Sequence, residues 1–274
     1  MDVFKTITHY IKNTDLYLAI LALICSGYGM VLIYSATLNP ATALDGSTRN
    51  LIVQGAAIII GLGAFVVMSL IDLEAMSGWW KIFVLVNIGL QFLLFTPLGQ
   101  EVNGQRAWLN LGVTSLQPGE LGKLIFICTL AAHISEIKEH ISEWRGLFVI
   151  GLHTLIMMGA VVIASGDTGM AIQYFMIALI MLFAAGLSLK WLGVGLGLGI
   201  ISIPILWNFV LQDYQKTRIL VLFDPSIDTD ASMQATYGKI AIGSGQFSGQ
   251  GLTHGTMTQM QYVPENQTDY IFSV

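Results

Sequence analysis

Seven long apolar stretches, separated by short polar ones, constrain this chain more than any other feature of its sequence. A helix needs about 20 apolar residues to cross the hydrocarbon core of a bilayer. The stretches lie at residues 16–36, 51–71, 80–98, 121–134, 146–164, 168–187 and 191–211. The fourth reaches that length if its helix begins near Pro118, because proline suits the first turn of a helix. We therefore predict an all-α, polytopic membrane protein with about seven transmembrane helices.

The charge content supports this prediction. Only 11% of the 274 residues are charged, whereas a soluble domain carries about 25%. No basic tract indicates binding to nucleic acid. Lys5 and Lys12 precede the first apolar stretch, and small residues at 41–43 follow it, as in a signal peptide. That stretch is too long for a signal core, so we expect a first transmembrane helix.

Lysine and arginine positions set the expected orientation of the chain. If the amino terminus is cytoplasmic, six basic residues lie in inner segments and only Arg49 and Arg106 lie in short outer loops. The inner residues are Lys5, Lys12, Lys81, Lys138, Arg145 and Lys190. Residues 212–270 then form a large extracytoplasmic loop. Because apolar residues recur in it, we expect partial order, with a short amphipathic helix around residues 236–242. We assign residues 1–274 to one membrane domain that contains this loop.

Cysteine and histidine suggest no metal centre. Cys25 and Cys128 lie inside apolar stretches and are interpreted as small buried hydrophobic residues. The histidines show no ligand spacing and are interpreted as incidental.

Ionisable residues at membrane depth are candidate functional residues, because burying them is costly. Glu120 and Lys123 open the fourth apolar helix three residues apart, and this spacing places them on one face. We expect an intramembrane ion pair that orients this helix, and such a pair could also shape a polar cavity. Asp167, between glycines, is expected to cap the sixth helix.

Four residues of the outer loops have two open interpretations each. Arg106 is either a functional residue or a solvated charge, and Trp108 is either functional or an interfacial anchor. Lys216 and Arg218 open the long loop, where they either bind phosphate or extend to the membrane interface as solvated charges.

Asp269 lies where the long loop meets the apolar residues of an eighth segment. We expect its carboxylate to be partly desolvated between loop and bilayer, which favours its protonated form and suits it to accept a proton. The alternative is a helix N-cap, for which Thr268 competes. Position alone does not decide between them.

Six ordered segments resemble the SEDS family of membrane proteins, of the RodA and FtsW type. They are GMVLIYSAT, VNGQRAWLNLGVTSLQPGELGKL, GDTGMA, YQKTRILVLFDP, IAIGSGQFSGQGLTHGT and VPENQTDYIFSV. The second is similar to the family pattern Asn-Gly-x-x-Arg-Trp…Gln-Pro-Ser-Glu-x-x-Lys. The last is similar to Pro-Glu-x-His-Thr-Asp-Phe. The resemblance runs from about Leu16 to the last residue. It implies a fold of ten helices, so we expect this chain to be truncated before the eighth.

The resemblance also implies a function. Members of the family polymerise lipid II into peptidoglycan glycan strands outside the cytoplasmic membrane, with a class B penicillin-binding protein as partner. They act in cell elongation, division or sporulation. The family's essential aspartate corresponds to Asp269, and its Glu and Lys of helix four to Glu120 and Lys123. Its Arg-Trp loop corresponds to Arg106 and Trp108.

Three departures from the family pattern affect the expected site. Gln267 replaces the motif histidine, which removes any proton relay through it. Gly119 replaces a serine, and Ala107 separates Arg106 from Trp108. The last departure weakens the assignment of the family's functional role to Arg106 more than it weakens the assignment to Trp108.

These residues predict an inverting transfer of a sugar from a lipid pyrophosphate in which Asp269 is the base. Positive charge for the leaving pyrophosphate comes from Lys216, Arg218, Arg106 or a divalent cation such as Mg²⁺ or Mn²⁺. Glu265, the other acid of the last segment, is grouped with the substrate-binding residues. Two alternatives stay open: a lipid II flippase or other transporter built on Glu120 and Lys123, and an inactive scaffold for the penicillin-binding protein.

Overall fold

The structure is largely helical. It is a computed structural model that describes residues 15–38, 45–71, 74, 77–102, 105–110, 112, 115–211, 213–221, 223–224, 226–227, 229–263 and 266–273. The helices of these ranges are α1 (Leu16–Thr37), α2 (Asp45–Leu70), α3 (Trp80–Phe92), α4 (Pro118–Glu136), α5 (Trp144–Ser165), α6 (Thr168–Ala184), α7 (Leu189–Ile205), α8 (Asp213–Val221), α9 (Thr229–Gly245) and α10 (Thr256–Gln259).

Each of the seven predicted apolar stretches overlaps one of the helices α1 to α7. Within the described part of the chain, three segments are both long and apolar enough to cross a membrane, namely Leu16–Thr37, Thr48–Leu70 and Trp144–Ser165. Trp80–Phe95, Thr168–Ala184 and Leu189–Ile201 are shorter apolar helices. At 1.5 Å per residue, a helix of 22 residues is about 33 Å long, enough to span the hydrocarbon core. The expected multi-pass α-helical membrane protein is thus confirmed.

Local sequence explains where several helices begin and end. The Asp15 carboxylate accepts a hydrogen bond of 3.1 Å from the Leu18 amide and starts α1. Asp167 caps α6 in the same way, with Oδ1 2.8 Å from the Met170 amide, as predicted. Gly166, at φ 71°, ends α5 in the left-handed conformation that glycine favours. Helix α4 begins at Pro118, also as predicted.

The described residues form two compact units. The mid-chain unit comprises residues 72–205, and the terminal unit comprises residues 1–71 and 206–274. The assignment of the whole chain to one membrane domain stays a prediction.

The core of the mid-chain unit lies among α4, α5 and α6. Its fully buried side chains include Phe126 and Leu130 of α4, Ile150 and Met157 of α5 and Tyr174 of α6. Lipid tails are as apolar as these side chains, so van der Waals packing between the helices, and not removal from water, is what this core contributes to stability. This packing fixes the position of α4, on which Glu120 and Lys123 lie.

A small antiparallel sheet occupies the segment that we expected to be an outer loop. Its strands are β1 (Gly99–Val102), β2 (Gln105–Asn110) and β3 (Ser115–Leu116), in the order β1-β2-β3. Leu109 pairs with Gly99 on one side and with Leu116 on the other. Helix α3 therefore ends at Phe92, followed by the 3₁₀ turn Leu93–Phe95, and not at residue 98. β1 and β3 are short, and the residues of β2, QRAWLN, do not alternate between apolar and polar.

The terminal unit contains α1, α2 and the long loop. The loop is partly ordered, as expected, but its helix α9 runs well beyond residues 236–242 at both ends. Helix α8 was not predicted. Ser35, buried near the end of α1, anchors the loop. Its hydroxyl accepts from the Thr253 amide at 3.1 Å, and its carbonyl accepts from Gln259 Nε2 at 2.9 Å.

Candidate active-site residues

Lys123 has two partners near the start of α4. Its ammonium lies 2.8 Å from Glu120 Oε2 and donates a hydrogen bond of 2.6 Å to Gln173 Oε1 of α6. The expected ion pair is therefore present, and Gln173 is a partner that the sequence did not indicate. The Lys123 side chain is 19% exposed and that of Glu120 is 55% exposed. The protein therefore encloses the lysine more completely than the glutamate.

Three buried polar side chains bind the first turns of α4 from the interior of the mid-chain unit. Each donates to a backbone carbonyl oxygen of α4. The donors and acceptors are Asn87 and Gly122 (2.8 Å), Gln91 and Pro118 (3.1 Å), and Tyr174 and Gly119 (3.2 Å). Each such bond contributes about 1 kcal/mol net, but a partner left unsatisfied in the interior costs more. The network thus holds the turns that carry Glu120 and Lys123.

Glycine is required at position 122 by this network. A Cβ there would overlap the side chains of Tyr174, Gln91 and Asn87. Among the described residues, the buried Gln91 Oε1 has no hydrogen-bond partner. The ends of these three side chains therefore pack closely around Gly122.

Arg106 and Trp108 lie on the same face of β2. Side chains alternate along a strand, so residues two apart point to one side. The burial agrees, because Ala107 and Leu109 are buried whereas Arg106 is exposed and Trp108 is half-buried. Because Ala107 lies between them in the sequence, Arg106 and Trp108 point to the same side of β2. Arg106 Nη2 donates to the Thr96 carbonyl at 3.0 Å, which fixes part of the guanidinium.

Lys216 and Arg218 both lie on α8 in the terminal unit. Lys216 Nζ is 3.7 Å from Asp213 Oδ1, and the Asp213 side chain is fully exposed. An exposed pair at this distance contributes little to stability, so Lys216 can exchange this partner for a phosphate. The side chain of Arg218 and all of Glu265 lie outside the described residues.

Asp269 is exposed in a turn that precedes the 3₁₀ helix Ile271–Ser273. The described protein residues therefore do not desolvate its carboxylate as we expected. Asp269 makes no hydrogen bond or ion pair with another described residue, and the 3₁₀ turn is closed by the Ser273 amide on the Tyr270 carbonyl at 2.8 Å. The carboxylate is thus available to accept a proton from a hydroxyl group.

The chain on both sides of Asp269 is anchored. Asn266 is buried and donates to the Thr258 carbonyl at 3.4 Å, while the buried Ser273 donates to the Tyr270 carbonyl at 2.6 Å. The Tyr270 ring packs on α9 at Gly238, where a Cβ would approach the ring to 2.6 Å. Asp269 is therefore an exposed acid on a fixed turn, a suitable arrangement for a general base.

A histidine pair in the mid-chain unit was missed by the sequence. His133 of α4 and His153 of α5 are buried, and their Nδ1 atoms lie 3.1 Å apart. The Trp80 indole stacks on His133 at 4.2 Å and donates to Glu136 Oε2 at 2.9 Å. One imidazole must donate through Nδ1–H and the other must accept. We interpreted the histidines as incidental because the two are 20 residues apart, and only helix packing brings them together.

Among the described residues, no group of three or more His, Cys, Asp or Glu could hold a metal ion. The expectation that a divalent cation acts here therefore depends on ligands other than such a cluster. Mg²⁺ is often held by one or two carboxylates together with substrate phosphates. The exposed Asp269 could supply one such carboxylate.

Comparison with protein families gives a match over almost the whole chain. The model of the FtsW, RodA and SpoVE family, described as "Cell cycle protein", matches residues 15–274. Peptidoglycan glycosyltransferase MrdB of Escherichia coli K12 is 35% identical over 219 residues, which cover 79% of this chain and 58% of MrdB. A probable peptidoglycan glycosyltransferase FtsW of Geobacter sulfurreducens is 30% identical over 268 residues, 96% of this chain and 71% of that protein.

Two solved structures share the fold. A chain of a peptidoglycan synthase complex that coordinates polymerisation and crosslinking aligns with a TM-score of 0.67 and 24% identity, covering 84% of this chain and 65% of that one. The rod shape determining protein RodA of Thermus thermophilus aligns with a TM-score of 0.55 and 21% identity, covering 91% and 82%. The chain therefore has the helical arrangement of these membrane proteins and spans less than two thirds of the length of MrdB.

Proposed function

The chain belongs to the FtsW, RodA and SpoVE family, and on that premise we propose that it is a peptidoglycan glycosyltransferase that polymerises lipid II into glycan strands. The observation that carries this proposal is the exposed carboxylate of Asp269, without a described partner, on a turn that its buried neighbours fix. MrdB is named a peptidoglycan glycosyltransferase and FtsW a probable one, and these names support the proposed reaction class. The sequence matches the family's aspartate motif at the same residue.

The reaction requires a single inverting displacement. The acceptor hydroxyl oxygen attacks the anomeric carbon of the donor sugar, which is α-linked to a lipid pyrophosphate. A β-linked glycosidic bond forms as the bond from the anomeric carbon to the pyrophosphate oxygen breaks. The hydroxyl proton passes to the Asp269 carboxylate, and the electron pair leaves with the pyrophosphate. A positioned base of this kind contributes about 10²- to 10⁴-fold in rate.

The leaving pyrophosphate needs positive charge nearby. Lys216 suits this role, because its weak pairing to Asp213 leaves the ammonium able to bind phosphate. Arg218 lies two residues further along α8, and its planar guanidinium matches phosphate oxygens. A divalent cation, Mg²⁺ or Mn²⁺, would supply the same positive charge, and Asp269 is the described carboxylate that would hold it. Glu265, Arg106 and Trp108 stay candidates for substrate binding.

The site is proposed to face the outside of the cytoplasmic membrane. The excess of lysine and arginine in alternate loops supports a cytoplasmic amino terminus, which places residues 212–270 outside. A class B penicillin-binding protein is the proposed partner, because the related synthase complex couples polymerisation to crosslinking. Membrane lipids surround the apolar helices.

The structure offers little support for the alternative of a flippase or transporter. That function would use the polar residues near Glu120 and Lys123 as a passage. The side chains beside them are fully buried and leave no room for a Cβ at Gly122. These side chains fill the space immediately beside Gly122, on the interior side of α4.

Reconstituted vesicles with fluorescent lipid II distinguish these functions. The chain is compared alone, with a class B penicillin-binding protein, and when continued by the carboxyl-terminal part of MrdB. We expect glycan polymer on gels when lipid II is in the leaflet that the long loop faces. Transfer of lipid II between leaflets without polymer would favour the transporter. Binding of the penicillin-binding protein with neither activity would favour a scaffold.

A further inference from the structure

A groove in the terminal unit has no role in the reaction described so far. It lies between the last turns of α1, helix α9, the glycine-rich loop after α9 and the 3₁₀ helix Ile271–Ser273. Its volume is about 340 Å³, at the small end of the range of about 300–1,000 Å³ for ligand pockets. We propose that it binds an N-acetylated sugar ring of the glycan, an inference that rests on the proposed function.

The lining of the groove contains no charged side chain among the described residues. Tyr28 of α1 and Phe272 of the 3₁₀ helix contribute aromatic rings that are 64% and 88% exposed. Ser248 and Gln250 contribute a hydroxyl and an amide. A pyrophosphate would need a cation here, because a buried anion without one is costly. A neutral, polar ligand with an apolar face, such as a sugar, fits this mixture.

The backbone of the glycine-rich loop supplies donors for such a ligand. Among the described residues, the amides of Gln250, Gly251 and Leu252 donate to no acceptor, and all three residues line the groove. An N-acetyl carbonyl oxygen or a ring hydroxyl could accept from them. The loop is also held in place, because Thr253 donates to Ser35 of α1 at 3.1 Å. The donors therefore do not need to be ordered when the ligand binds.

The groove differs from a second one in the same unit. That groove, between α1 and α2, is about 490 Å³ and is lined mainly by Leu, Ala, Ile and Phe. Its apolar walls suit a hydrocarbon chain, whereas those of the first suit a sugar. The terminal unit thus has one groove that suits a sugar and a separate groove that suits a hydrocarbon chain.

The first groove also lies close to the proposed base. Phe272 follows Asp269 by three residues, so their Cα atoms are at most about 11 Å apart, from a maximum of roughly 3.6 Å per residue. A sugar ring in the groove would therefore be the neighbour of the sugar at Asp269. The groove would hold one ring of the glycan while the next one reacts.

Ligand-observed NMR on the full chain in nanodiscs free of sugar detergents tests this inference. The probe is a tetramer of N-acetylglucosamine, and the control is cellotetraose, which lacks the N-acetyl groups. We expect the first to bind with a Kd on the order of 1 mM and the second at least about tenfold more weakly. Absence of binding, or equal binding of both, overturns the proposal, and so does displacement of the probe by a long-chain alcohol.

Two matched pairs of variants locate the binding. Ile242→Trp fills the groove, whereas Ile240→Trp places the same side chain on an exposed position of α9 that does not line it. Phe272→Ala removes a lining ring, whereas Phe223→Ala removes an equally exposed ring elsewhere in the unit. We expect Ile242→Trp and Phe272→Ala to weaken binding by at least about tenfold and their controls to leave it unchanged. Equal effects within each pair overturn the proposal.

Asp269 does not line the groove, and this separates the inference from the proposed function. Asp269→Asn should bind the tetramer as the wild type does. If this variant polymerises lipid II normally while the groove variants lose the tetramer, the catalytic proposal fails and the sugar site stands.

Discussion

Asn87 Nδ2 lies 2.8 Å from the carbonyl oxygen of Gly122, and this hydrogen bond joins α3 to α4 where the two helices leave no room for a Cβ. Both residues are buried. The contact therefore fixes where α4 lies along its axis, and how it is rotated about that axis, relative to α3. This in turn fixes the positions of Glu120 and Lys123. Its consequences for stability can be measured directly.

Gly122→Ala should destabilise the protein. The added methyl group forces Asn87, Gln91 or Tyr174 to move, and overpacking of this kind costs about 1–3 kcal/mol. Thermal unfolding in detergent measures the loss. Gly151→Ala is the control, because a Cβ at that helical position meets no atom within 4 Å. A melting temperature for Gly122→Ala at or above that of Gly151→Ala would contradict the structure.

Gly238→Ala should displace the turn that carries Asp269. A methyl group on Gly238 would meet the Tyr270 ring, and Tyr270 directly follows Asp269. We expect a fall in polymerase turnover greater than the fall in melting temperature accounts for, because a misplaced base loses most of its effect. Gly243→Ala on the same helix, where a Cβ has open space, should retain activity. Equal activity of the two variants would show that Tyr270 does not position the turn.

Removal of Lys123 should cost more stability than removal of Glu120. Lys123→Met leaves Gln173 Oε1 without its donor and Glu120 without its cation, a loss of about 1–3 kcal/mol. Glu120→Gln leaves the bond between Lys123 and Gln173 in place and should therefore cost less. Chemical denaturation measures the free energy of unfolding of both variants and shows which substitution costs more stability. The reverse order would mean that Gln173 is not the main partner of Lys123.

His140 provides a pH test outside the membrane helices. Its hydrogen bond to Glu143 Oε1, at 2.8 Å, and the charge of Glu143 raise the pKa of His140. The pair therefore contributes stability below about pH 6.5, the ordinary value for histidine, and loses it as the pH rises through the raised pKa. NMR titration should show a larger fall in the pKa of His140 for Glu143→Gln than for Glu139→Gln, whose charge contributes less. An equal fall in the pKa of His140 for the two variants would contradict the hydrogen bond between His140 and Glu143.

The sequence predicted those features of the fold that depend on neighbours along the chain. Long apolar runs predicted the helices, Pro118 predicted the start of α4, and the spacing of Glu120 and Lys123 predicted their pair. The cap at Asp167 has the same local origin. Each of these depends on residues within one or two helical turns.

Contacts between distant residues could not be predicted in this way. Lys123 and Gln173 are 50 residues apart, and His133 and His153 are 20 apart. Only the packing of α4 against α5 and α6 brings them together. The strands were missed because β3 has only two residues and the residues of β2, QRAWLN, do not alternate between apolar and polar. The exposure of Asp269 also depends on tertiary structure, because buried neighbours hold its turn at the surface.

Lipid II polymerisation by Asp269→Asn tests the central claim most directly. The variant is measured with the class B penicillin-binding protein, in the chain alone and in the chain continued by the carboxyl-terminal part of MrdB. Asp15→Asn is the control, because asparagine caps α1 as well as aspartate does. We expect polymer from the wild type and from Asp15→Asn, with a loss of about 10²- to 10⁴-fold for Asp269→Asn. Polymerisation by Asp269→Asn at the wild-type rate would contradict it.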